Sequence, residues 1–383
     1  MSLSRSGDLK HVTIKRAREL GAVAVRIAPA LRDSATEERM RTAFAGNAFA
    51  SWSYDASYAQ RAADPSTILA GARSVICIAV AYETKPPGAR GPLEGRVSNY
   101  AWSHDYHRRM QTLLRELAAS IDAAAGANVT RVVCDTAPLA ERAFAAQAGL
   151  GWIGKHTNVI VPGAGSFVFL GEIVTMLELQ PDLPTKKSCG SCTRCVDVCP
   201  TRALRGDYTI DASRCIADLN QRTDDIPPAM RPLIGDWLWG CDLCQEICPP
   251  TMRAGPGGDR SFVPAGRSTA FPDLLKVLRL RSGEFKRWFG PTAMSWRGAA
   301  IVRRNAAVVL GNLLDRAAVP TLLEALREDP HPMVRRHAAW SLGRIGSGPA
   351  LEGLKSQCRN ERDPSVVEAI AQALEPFRAL QRS

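Results

Sequence analysis

Eight of the eleven cysteines lie within residues 189–248, and their spacing indicates the metal chemistry that they could support. They form two runs with one cysteine between them: Cys189-x-x-Cys192-x-x-Cys195-x-x-x-Cys199-Pro200, then Cys215, then Cys241-x-x-Cys244-x-x-x-Cys248-Pro249. The first run has the spacing of bacterial ferredoxins, in which the fourth cysteine ligates the other of two 4Fe–4S clusters. Eight thiolates in this pattern predict two cubane clusters and the transfer of single electrons.

The pairing of these cysteines follows from their number. The second run has three cysteines and cannot complete a four-thiolate site alone, so Cys248 is expected to return to the first run. The two predicted ligand sets are Cys189, Cys192, Cys195 and Cys248, and Cys199, Cys215, Cys241 and Cys244. Structural zinc favours paired Cys-x-x-Cys knuckles, and disulfides need an oxidising compartment, so both alternatives fit this pattern less well.

The N-terminal sequence favours a reducing location for these thiolates. Residues 1–20 read MSLSRSGDLKHVTIKRAREL, without the apolar core of a signal peptide or a lipidation motif. No stretch approaches the roughly 20 apolar residues of a membrane span. We therefore expect a cytoplasmic protein with no membrane partner. The remaining cysteines, Cys77, Cys134 and Cys358, are expected to pack rather than to react.

The positive charge is concentrated in the last third of the chain. The net charge is +11, and residues 251–383 supply +9 of it, with 21 Lys+Arg against 12 Asp+Glu. A nearly neutral body joined to a basic tail favours a polyanionic partner such as nucleic acid. A basic surface that serves only solubility is the alternative.

This tail also repeats itself at an offset of 32 residues. The segment Val302-Arg-Arg-Asn-Ala-Ala307 recurs as Val334-Arg-Arg-His-Ala-Ala339, and a weaker third copy begins at Val366. Paired helices at a fixed period resemble HEAT-like repeats, which stack into a short solenoid. Because stacking places equivalent residues on one face, we expect a ridge of arginines that contacts phosphates, with the alternative that they only solvate helix ends. The predicted ridge consists of Arg303, Arg304, Arg335 and Arg336.

The first part of the chain alternates between β-rich and helical segments, which predicts a sheet covered by helices. The predicted strands are 22–28, 74–82, 131–134, 158–161 and 167–175, and the predicted helices include 106–125 and 138–148. Asp135 ends one predicted strand and begins Asp135-Thr-Ala-Pro-Leu-Ala-Glu141. Its carboxyl group could donate a proton near a large apolar cofactor, or it could cap the following helix, and the spacing leaves both open. The glycines of 149–154 would let backbone approach a flat ligand.

No GxGxxG motif follows the early strands and no Walker sequence occurs, so a nicotinamide or P-loop site has no support. Taken together, four segments resemble the epoxyqueuosine reductase family. They are Asp135-Thr-Ala-Pro-x-x-Glu141, Ala148-Gly-Leu-Gly-Trp-Ile-Gly-Lys-His-Thr-Asn158, Ser98-Asn-Tyr-Ala-Trp-Ser-His-Asp-Tyr-His107 and the two cysteine runs. The resemblance covers nearly the whole chain. It implies a cobalamin-dependent enzyme with two 4Fe–4S clusters that reduces epoxyqueuosine to queuosine at the wobble position of tRNA.

The resemblance also implies a domain order and residue roles. The expected fold is an α/β cobalamin-binding domain at 1–180, a ferredoxin-like two-cluster domain at 181–258, and a linker with HEAT-like repeats at 259–383. Asp135 aligns with the family's proposed acid, and no Asp-x-His-x-x-Gly motif supports a histidine on the lower face of the cobalt. The expected corrin contacts are Arg61, Ser98, Tyr106, Asp135, Lys155, His156, Asn158, Ala217 and Arg222.

Two rival functions share parts of these features. A corrinoid iron–sulfur oxidoreductase that resembles reductive dehalogenases and acts on a small molecule would use the corrin and clusters, but it would not need a basic repeat tail. A non-enzymatic electron carrier would need little more than residues 181–250. We expect a monomer that receives electrons from a separate reductant.

The predicted cluster pairing can be tested at Cys215, the cysteine outside both runs. Replacing Cys215 with Ala should remove one ligand of the second set and leave about four irons per chain, measured by iron analysis of purified protein. Iron that stays near eight per chain would contradict the pairing.

Overall fold

The computed structural model describes residues 3–46, 48–49, 53–135, 137–264 and 266–380. In chain order its strands are β1 (Ala24–Pro29), β2 (Ser74–Ala81), β3 (Arg96–Val97), β4 (Thr130–Val133), β5 (Trp152–Ile153), β6 (Val159–Ile160), β7 (Val168–Thr175) and β8 (Trp237–Trp239).

The α-helices up to residue 254 are α1 (Leu3–Glu19), α2 (Ser34–Ala45), α3 (Ala56–Ala62), α4 (Tyr106–Ala125), α5 (Glu141–Gln147), α6 (Arg194–Val198), α7 (Ile216–Leu219), α8 (Leu243–Glu246) and α9 (Pro249–Ala254). They are followed by α10 (Arg267–Ala270), α11 (Leu274–Leu278), α12 (Ser282–Trp288), α13 (Ala299–Leu313), α14 (Val319–Glu328), α15 (Pro332–Ile345), α16 (Gly348–Asn360) and α17 (Pro364–Leu380). Within the ranges given above, no helix combines the length and the apolar character that crossing a membrane would need.

The chain divides by packing into two compact units, each assembled from several segments. Unit 1 contains 1–85, 105–213 and 242–263, and unit 2 contains 86–104, 214–241 and 264–383. These units cut across the three consecutive domains that the sequence predicts. Residues 181–258, the predicted cluster domain, are shared between the two units.

Unit 1 is built on a four-stranded sheet with the order β1-β2-β7-β4, in which every neighbouring pair is antiparallel. The sequence predicts these four strands to within two residues at each end, and α4 begins and ends where predicted. The predicted strand at 158–161 is instead β6, which pairs with β5 in a separate hairpin. The mixed α/β architecture is therefore confirmed.

Helices α4 and α5 pack on opposite faces of this sheet. Side chains alternate between the two faces along β7, so neighbouring residues of this strand face different helices. A Cβ atom at Gly171 would meet Leu114 of α4 at 2.7 Å, so this residue faces α4 at close approach. Its neighbour Glu172 must face the other way, toward α5. There Glu172 lies opposite Cys77 of β2 and Val133 of β4, which pack with Phe144 of α5.

Unit 2 is dominated by the helical repeats. Helices α13, α15 and α17 pack in succession, and α14 and α16 pack beside them, which confirms the predicted HEAT-like arrangement. Helix α14 has Pro320 in its first turn, where the missing N–H group costs nothing. The parallel pair β3–β8 joins the same hydrophobic core through Val97, Leu238 and Trp239.

The predicted arginine ridge is wrong, because its guanidinium groups bond within unit 2 instead of forming an exposed row. Arg303 is 8% exposed and bonds both carboxylate oxygens of Asp329, at 2.6 and 3.0 Å. Arg335 bonds Glu361 in the same way, at 3.0 Å for each oxygen. Asp329 and Glu361 are also 32 residues apart, so the repeat preserves a structural ion pair.

The second arginine of each copy reaches the segment after α7. Arg304 is fully buried, and its guanidinium donates to the backbone carbonyls of Leu219, Arg222 and Asp224 at 2.7–3.3 Å. Arg336 makes a bidentate bond to Asp225, at 2.6 and 2.8 Å. Identical residues at repeat spacing therefore mark contacts inside the unit, which spacing alone could not distinguish from a surface row.

Arg304 should be a major source of stability in unit 2. Replacing it with Ala would leave three carbonyls without their donor, so we expect the free energy of unfolding to fall by about 3 kcal/mol or more. The measurement is thermal and urea unfolding of the variant beside Arg327→Ala, whose parent side chain is exposed on α14. Equal unfolding midpoints for the two variants would contradict this role.

Candidate functional site

Asp135 follows β4 and turns its carboxylate toward the N-terminus of α4. Its Oδ2 atom accepts a hydrogen bond from the Tyr106 hydroxyl at 2.9 Å and lies 3.3 Å from Nε2 of His107. The backbone of Asp135 has φ 55°, a left-handed conformation that a residue with a side chain adopts only when its surroundings hold it there. The aspartate is therefore held in one orientation by specific contacts.

The structure also decides between the two predicted roles for this residue. The N-cap of α5 is Ala140, five residues further on, and it makes no side-chain cap. The expectation that Asp135 caps this helix is therefore wrong. Its side chain is 61% exposed and accepts bonds from α4 instead.

His107 connects two carboxylates at the first turn of α4. Its Nδ1 lies 2.7 Å from Oδ1 of Asp105, the N-cap of α4, while Nε2 faces Asp135. The bonds to Asp105 and then to Asp135 raise the pKa of His107 to about 9, against the effect of burial. At neutral pH the imidazole is therefore protonated and holds a proton between the two carboxylates.

The pKa of Asp135 reflects two opposing causes. The side chain is 61% exposed, but the protein atoms around it desolvate it in part and so raise its pKa; the hydrogen bonds from His107 and Tyr106 outweigh this effect and place the pKa of Asp135 below its usual value. The proton of this pair therefore lies on the imidazole while the site is open to water. Further burial of Asp135 would move the balance toward the carboxyl group.

Glu141 begins α5 and contacts the backbone of the same loop. Its Oε1 accepts the N–H of Asp135 at 2.6 Å. Burial raises the pKa of Glu141 to about 7. The aspartate is thus held from two sides: side-chain donors on α4 bond its carboxylate, and a side-chain carboxylate on α5 accepts its backbone N–H.

An aromatic stack lies beside these groups. The rings of Tyr106 and Phe169 are 4.1 Å apart and nearly parallel, and Tyr82 stacks on Phe169 at 4.2 Å. The cavity formed here in unit 1 has a volume of about 270 Å³ and is lined by Tyr82, Tyr106, Asp135, Glu141, Arg142, Asn158, Val159, Ser166, Val168, Phe169, Leu170 and Gln245. A flat apolar wall with one carboxylate at its edge suits a planar ligand and proton transfer.

The glycine-rich segment forms the hairpin β5–β6 and places one predicted contact in this cavity. Asn158 lines it, whereas the Lys155 ammonium donates to the carbonyl of Gly190 at 3.0 Å. His156 is 3% exposed, and burial lowers its pKa to about 4. Its Nε2 atom has no hydrogen-bond partner among the described residues, so a neutral imidazole edge is left for a polar ligand.

All four cysteines of the first predicted set belong to unit 1. Burial, followed by the thiols of Cys189, Cys248 and Cys192, raises the pKa of Cys195 to about 11. No disulfide joins any cysteine of the described ranges. Four thiols with this spacing along the chain suit a 4Fe–4S cluster, and their assignment to one cluster remains a prediction.

The second predicted set is distributed over the chain differently. Cys199 and Cys244 belong to unit 1, and Cys215 and Cys241 belong to unit 2. Cys215 is the N-cap of α7, and Cys241 comes two residues after β8. The Cys199 sulfur accepts the N–H of Ala203 at 3.4 Å. The pairing of these four cysteines remains a prediction.

The four remaining predicted corrin contacts are not among the residues that line the Asp135 cavity. Ser98, Ala217 and Arg222 belong to unit 2, where Ser98 packs against Gly240 and Arg222 bonds Asp218 at 2.5 Å. Asn305 of α13 donates to the carbonyls of Asn220 and Leu238, and Arg304 donates to those of Leu219 and Arg222. The first repeat helix therefore fixes the 217–222 segment. Arg61 is exposed and donates to Ser57.

Four residues of the site were not assigned a role from the sequence: Asp105, His107, Glu141 and Glu172. The first three occur within the motifs that carry the family resemblance, so the motifs located them without showing their roles. Glu172 has a clear signal in the sequence, since it is the one charged residue in the apolar run Val168–Thr175. A lone carboxylate in a buried strand needs a hydrogen-bond partner or a proton, which marks it as a candidate site residue.

Family models match three parts of the chain. Residues 62–136 match the model described as "Epoxyqueuosine reductase QueG, DUF1730", residues 188–251 match a 4Fe–4S double cluster binding domain, and residues 297–375 match HEAT repeats. An epoxyqueuosine reductase of Staphylococcus aureus is 36% identical over 340 residues, covering 88% of this chain and 88% of that protein. One from Bacillus anthracis is 34% identical over 320 residues, covering 82% of this chain and 84% of its own length.

Solved structures agree with these relatives. A crystal structure of epoxyqueuosine reductase with an epoxyqueuosine-modified tRNA-Tyr stem loop has a TM-score of 0.89 at 30% identity, covering 96% of this chain and 98% of that one. A Bacillus subtilis structure, with its catalytic aspartate loop swung out of the active site, has a TM-score of 0.88 at 29% identity and covers 96% and 98%. With a shared fold, a shared double-cluster domain and relatives that span most of its length, this chain belongs to the epoxyqueuosine reductase family of oxidoreductases.

Proposed function

We propose that this protein reduces epoxyqueuosine to queuosine at the wobble position of tRNA, with cobalamin and two 4Fe–4S clusters as cofactors. The observation that carries the proposal is the Asp135 carboxylate, held by Tyr106 and His107 at the edge of an aromatic wall. Family membership and the double-cluster domain supply the reaction class. A reductive-dehalogenase-like reaction on a small molecule is not favoured by these relatives.

The proposed reaction has a fixed balance. Opening the epoxide to an alkene breaks two C–O bonds, takes up two electrons and two protons, and releases the oxygen as water. The clusters accept and deliver electrons singly, so electrons must be combined before they reach the substrate. A reduced corrin supplies that step when bound, as a strong nucleophile or electron donor.

The residues around the cavity offer the flat apolar surface and the polar groups that a corrin would contact. Among the described residues that line the cavity there is no histidine, and the aromatic stack gives a flat apolar surface. Corrin rings carry amide side chains, which need polar partners. Asn158, Gln245, Ser166 and the unpaired Nε2 edge of His156 provide such groups in unit 1. In this proposal Ser98, Ala217, Arg222, Lys155 and Arg61 hold the remainder of the macrocycle.

One of the two protons for the departing oxygen comes from the Asp105–His107–Asp135 chain, and the other comes from solvent. In the open site the proton lies on His107, because its pKa is about 9. A substrate and cofactor that cover the cavity would bury both groups, which raises the pKa of Asp135 and lowers that of His107. Both changes move the proton from Nε2 of His107 to Oδ2 of Asp135, the atom that faces the substrate.

The remaining parts of the proposal follow from the partners. The substrate is a tRNA, which favours a cytoplasmic protein, and a separate reductant must supply the electrons. We propose that the protein acts as a monomer. Within this scheme the first cluster is held by Cys189, Cys192, Cys195 and Cys248, and the second by Cys199, Cys215, Cys241 and Cys244.

With the arginine ridge excluded, a different group of cations is available for phosphate contacts. Residues 276–287, here called the basic segment, expose five cations, and all but Lys286 line a groove of about 680 Å³ that also contains Trp288 and Glu324. The cations are Lys276, Arg279, Arg281, Lys286 and Arg287. Arg279 is paired with Glu324 at 2.7 Å, which leaves the other four as the better candidates for tRNA phosphates.

Two substitutions test the proton chain. Asp135→Asn should retain cofactors and lower turnover of an epoxyqueuosine stem loop by about a hundredfold or more, because the amide cannot donate an acidic proton. His107→Gln should move the loss of activity at high pH, expected near pH 9 in the parent, to lower pH. The measurement is single-turnover rate against pH with pre-reduced enzyme.

The sign of the second effect follows from the raised pKa. The charged His107 contributes fully to stability below its ordinary pKa of about 6.5, and that contribution is lost as pH rises through about 9. The proton supply disappears over the same range. Asn at position 135 with parental turnover, or His107→Gln with the parental pH profile, would contradict the proton chain.

The role of the basic segment can be measured by salt dependence. Replacing Lys276, Arg281, Lys286 and Arg287 with Gln should weaken tRNA binding and reduce the slope of log K against log salt by about 0.7–0.9 per lost phosphate contact. The matched control replaces four exposed arginines outside the segment, Arg316, Arg327, Arg344 and Arg359, with the same change in net charge. If both quadruple variants show the same slope, the segment has no specific contact with tRNA.

A further inference from the structure

Behind the groups that hold Asp135, a further carboxyl group lies in the interior of unit 1. Glu172 lies in the middle of β7 and is completely buried, and neither of its carboxyl oxygens meets a partner in standard hydrogen-bond geometry among the described residues. Glu172 faces α5, and the first residue of this helix is Glu141. Glu141 is therefore the side chain of α5 that could share a hydrogen bond with Glu172. A buried carboxyl group without a partner in the middle of a core strand is costly, so it needs a function or a proton.

We propose that Glu141 and Glu172 form a carboxyl pair that positions the catalytic loop, with Glu141 holding the Asp135 backbone and Glu172 holding Glu141. The contact that carries this proposal is the 2.6 Å bond from the Asp135 N–H group to Oε1 of Glu141. It fixes the left-handed backbone of Asp135, which directs the side chain toward Tyr106 and His107.

Two neighbouring buried carboxyl groups cannot both be ionised, so the pair keeps one proton. Burial and then the charge of Glu141 raise the pKa of Glu172 well above its usual value, whereas burial raises that of Glu141 only to about 7. Above pH 7, Glu172 is therefore the neutral member and directs its O–H toward an ionised Glu141. A carboxylate is the stronger acceptor for the Asp135 N–H group.

The other ionisable groups around the pair support this assignment. Asp135, on the loop, acts on Glu141 by repulsion, while Arg142 on α5 donates to the Thr157 carbonyl and lowers the pKa of Glu141. On the strands, burial and the two glutamates raise the pKa of the thiols of Cys77 and Cys134, so both stay neutral. On α3, burial, then Tyr54 and then Glu141 raise the pKa of the Tyr58 hydroxyl, so this group also stays neutral.

This arrangement predicts that loop order depends on pH. Ionisation of Glu141 through about pH 7 strengthens its bond to the loop, because that bond lowers the pKa of Glu141 and the coupling is reciprocal. The free energy of unfolding, in contrast, falls as pH rises over the same range. A folded-state pKa raised above the ordinary value means that stability is present below that value and is lost as pH rises through about 7.

Hydrogen–deuterium exchange of the Asp135 amide measures this bond directly. In the parent holoenzyme its protection, corrected for intrinsic exchange, should rise about fivefold between pH 6 and pH 8. Glu141→Gln should keep the acceptor but make the protection independent of pH, and Glu172→Gln, which still donates to Glu141, should stay close to the parent. The control is Glu37→Gln, since Glu37 also lies in the first turn of a helix of unit 1.

Glu141→Ala removes the acceptor altogether. It should lower the protection of the Asp135 amide about tenfold and reduce kcat by a similar factor, with KM for the stem loop changed less than about twofold. Parental protection in this variant would overturn the proposal. If the variant does not fold, the pH series of the parent and of Glu141→Gln decides, and flat protection in the parent would equally overturn it.

The kinetic part of this inference rests on the proposed function, but the exchange measurement does not. Loss of protection without any epoxyqueuosine reduction in the parent would support the carboxyl pair and reject the reaction. Parental protection in Glu141→Ala, in an enzyme that reduces epoxyqueuosine, would reject the pair alone.

Discussion

Unit 2 depends on one buried guanidinium group. Arg304 lies inside the unit without exposure, and burying such a group is costly unless its donors are all used. Here they are used on the carbonyls of Leu219, Arg222 and Asp224 and on the Asn305 side chain. Because these carbonyls belong to the segment that follows Cys215, the helical repeats act as a support for the region around a predicted cluster ligand and predicted corrin contacts.

Unit 1 uses carboxylates where unit 2 uses arginines. Asp105, His107 and Asp135 form a chain at the edge of the cavity, while Glu141 and Glu172 continue behind the loop toward the sheet. Each group shifts the pKa of the next, and the environment separates their values, which is how neighbouring acids acquire different roles. The outer chain stores a proton, and the inner pair holds the backbone.

Sequence patterns predicted the elements of this fold well where the pattern reflects burial. The apolar run at 74–82 became β2, and the amphipathic stretch at 106–125 became α4 without change. The cysteine spacing predicted a two-cluster domain, and the family model that matches residues 188–251 confirms it. The resemblance located Asp135 and Asn158, which do line one cavity.

Patterns failed where the answer depends on what lies opposite a residue. Arginines repeated at 32 residues looked like a surface ridge. Their acidic partners, Asp329, Glu361 and Asp225, are brought to them by tertiary packing and are not neighbours in the sequence. Asp135 looked equally like a helix cap, because Pro138 suggested an earlier helix start than the observed Glu141. The Glu141–Glu172 relation required the register of β7 and the packing of α5, and neither can be read from one strand.

The way in which the two units share the chain has a consequence for how the protein can be divided. The polypeptide passes from one unit to the other five times, at 85/86, 104/105, 213/214, 241/242 and 263/264. A fragment that ends before the repeats would retain 86–104 and 214–241 but lose the helices whose core buries Val97, Leu238 and Trp239. Removing the C-terminal third would therefore expose the core around Val97, Leu238 and Trp239, in the same unit as Cys215 and Cys241.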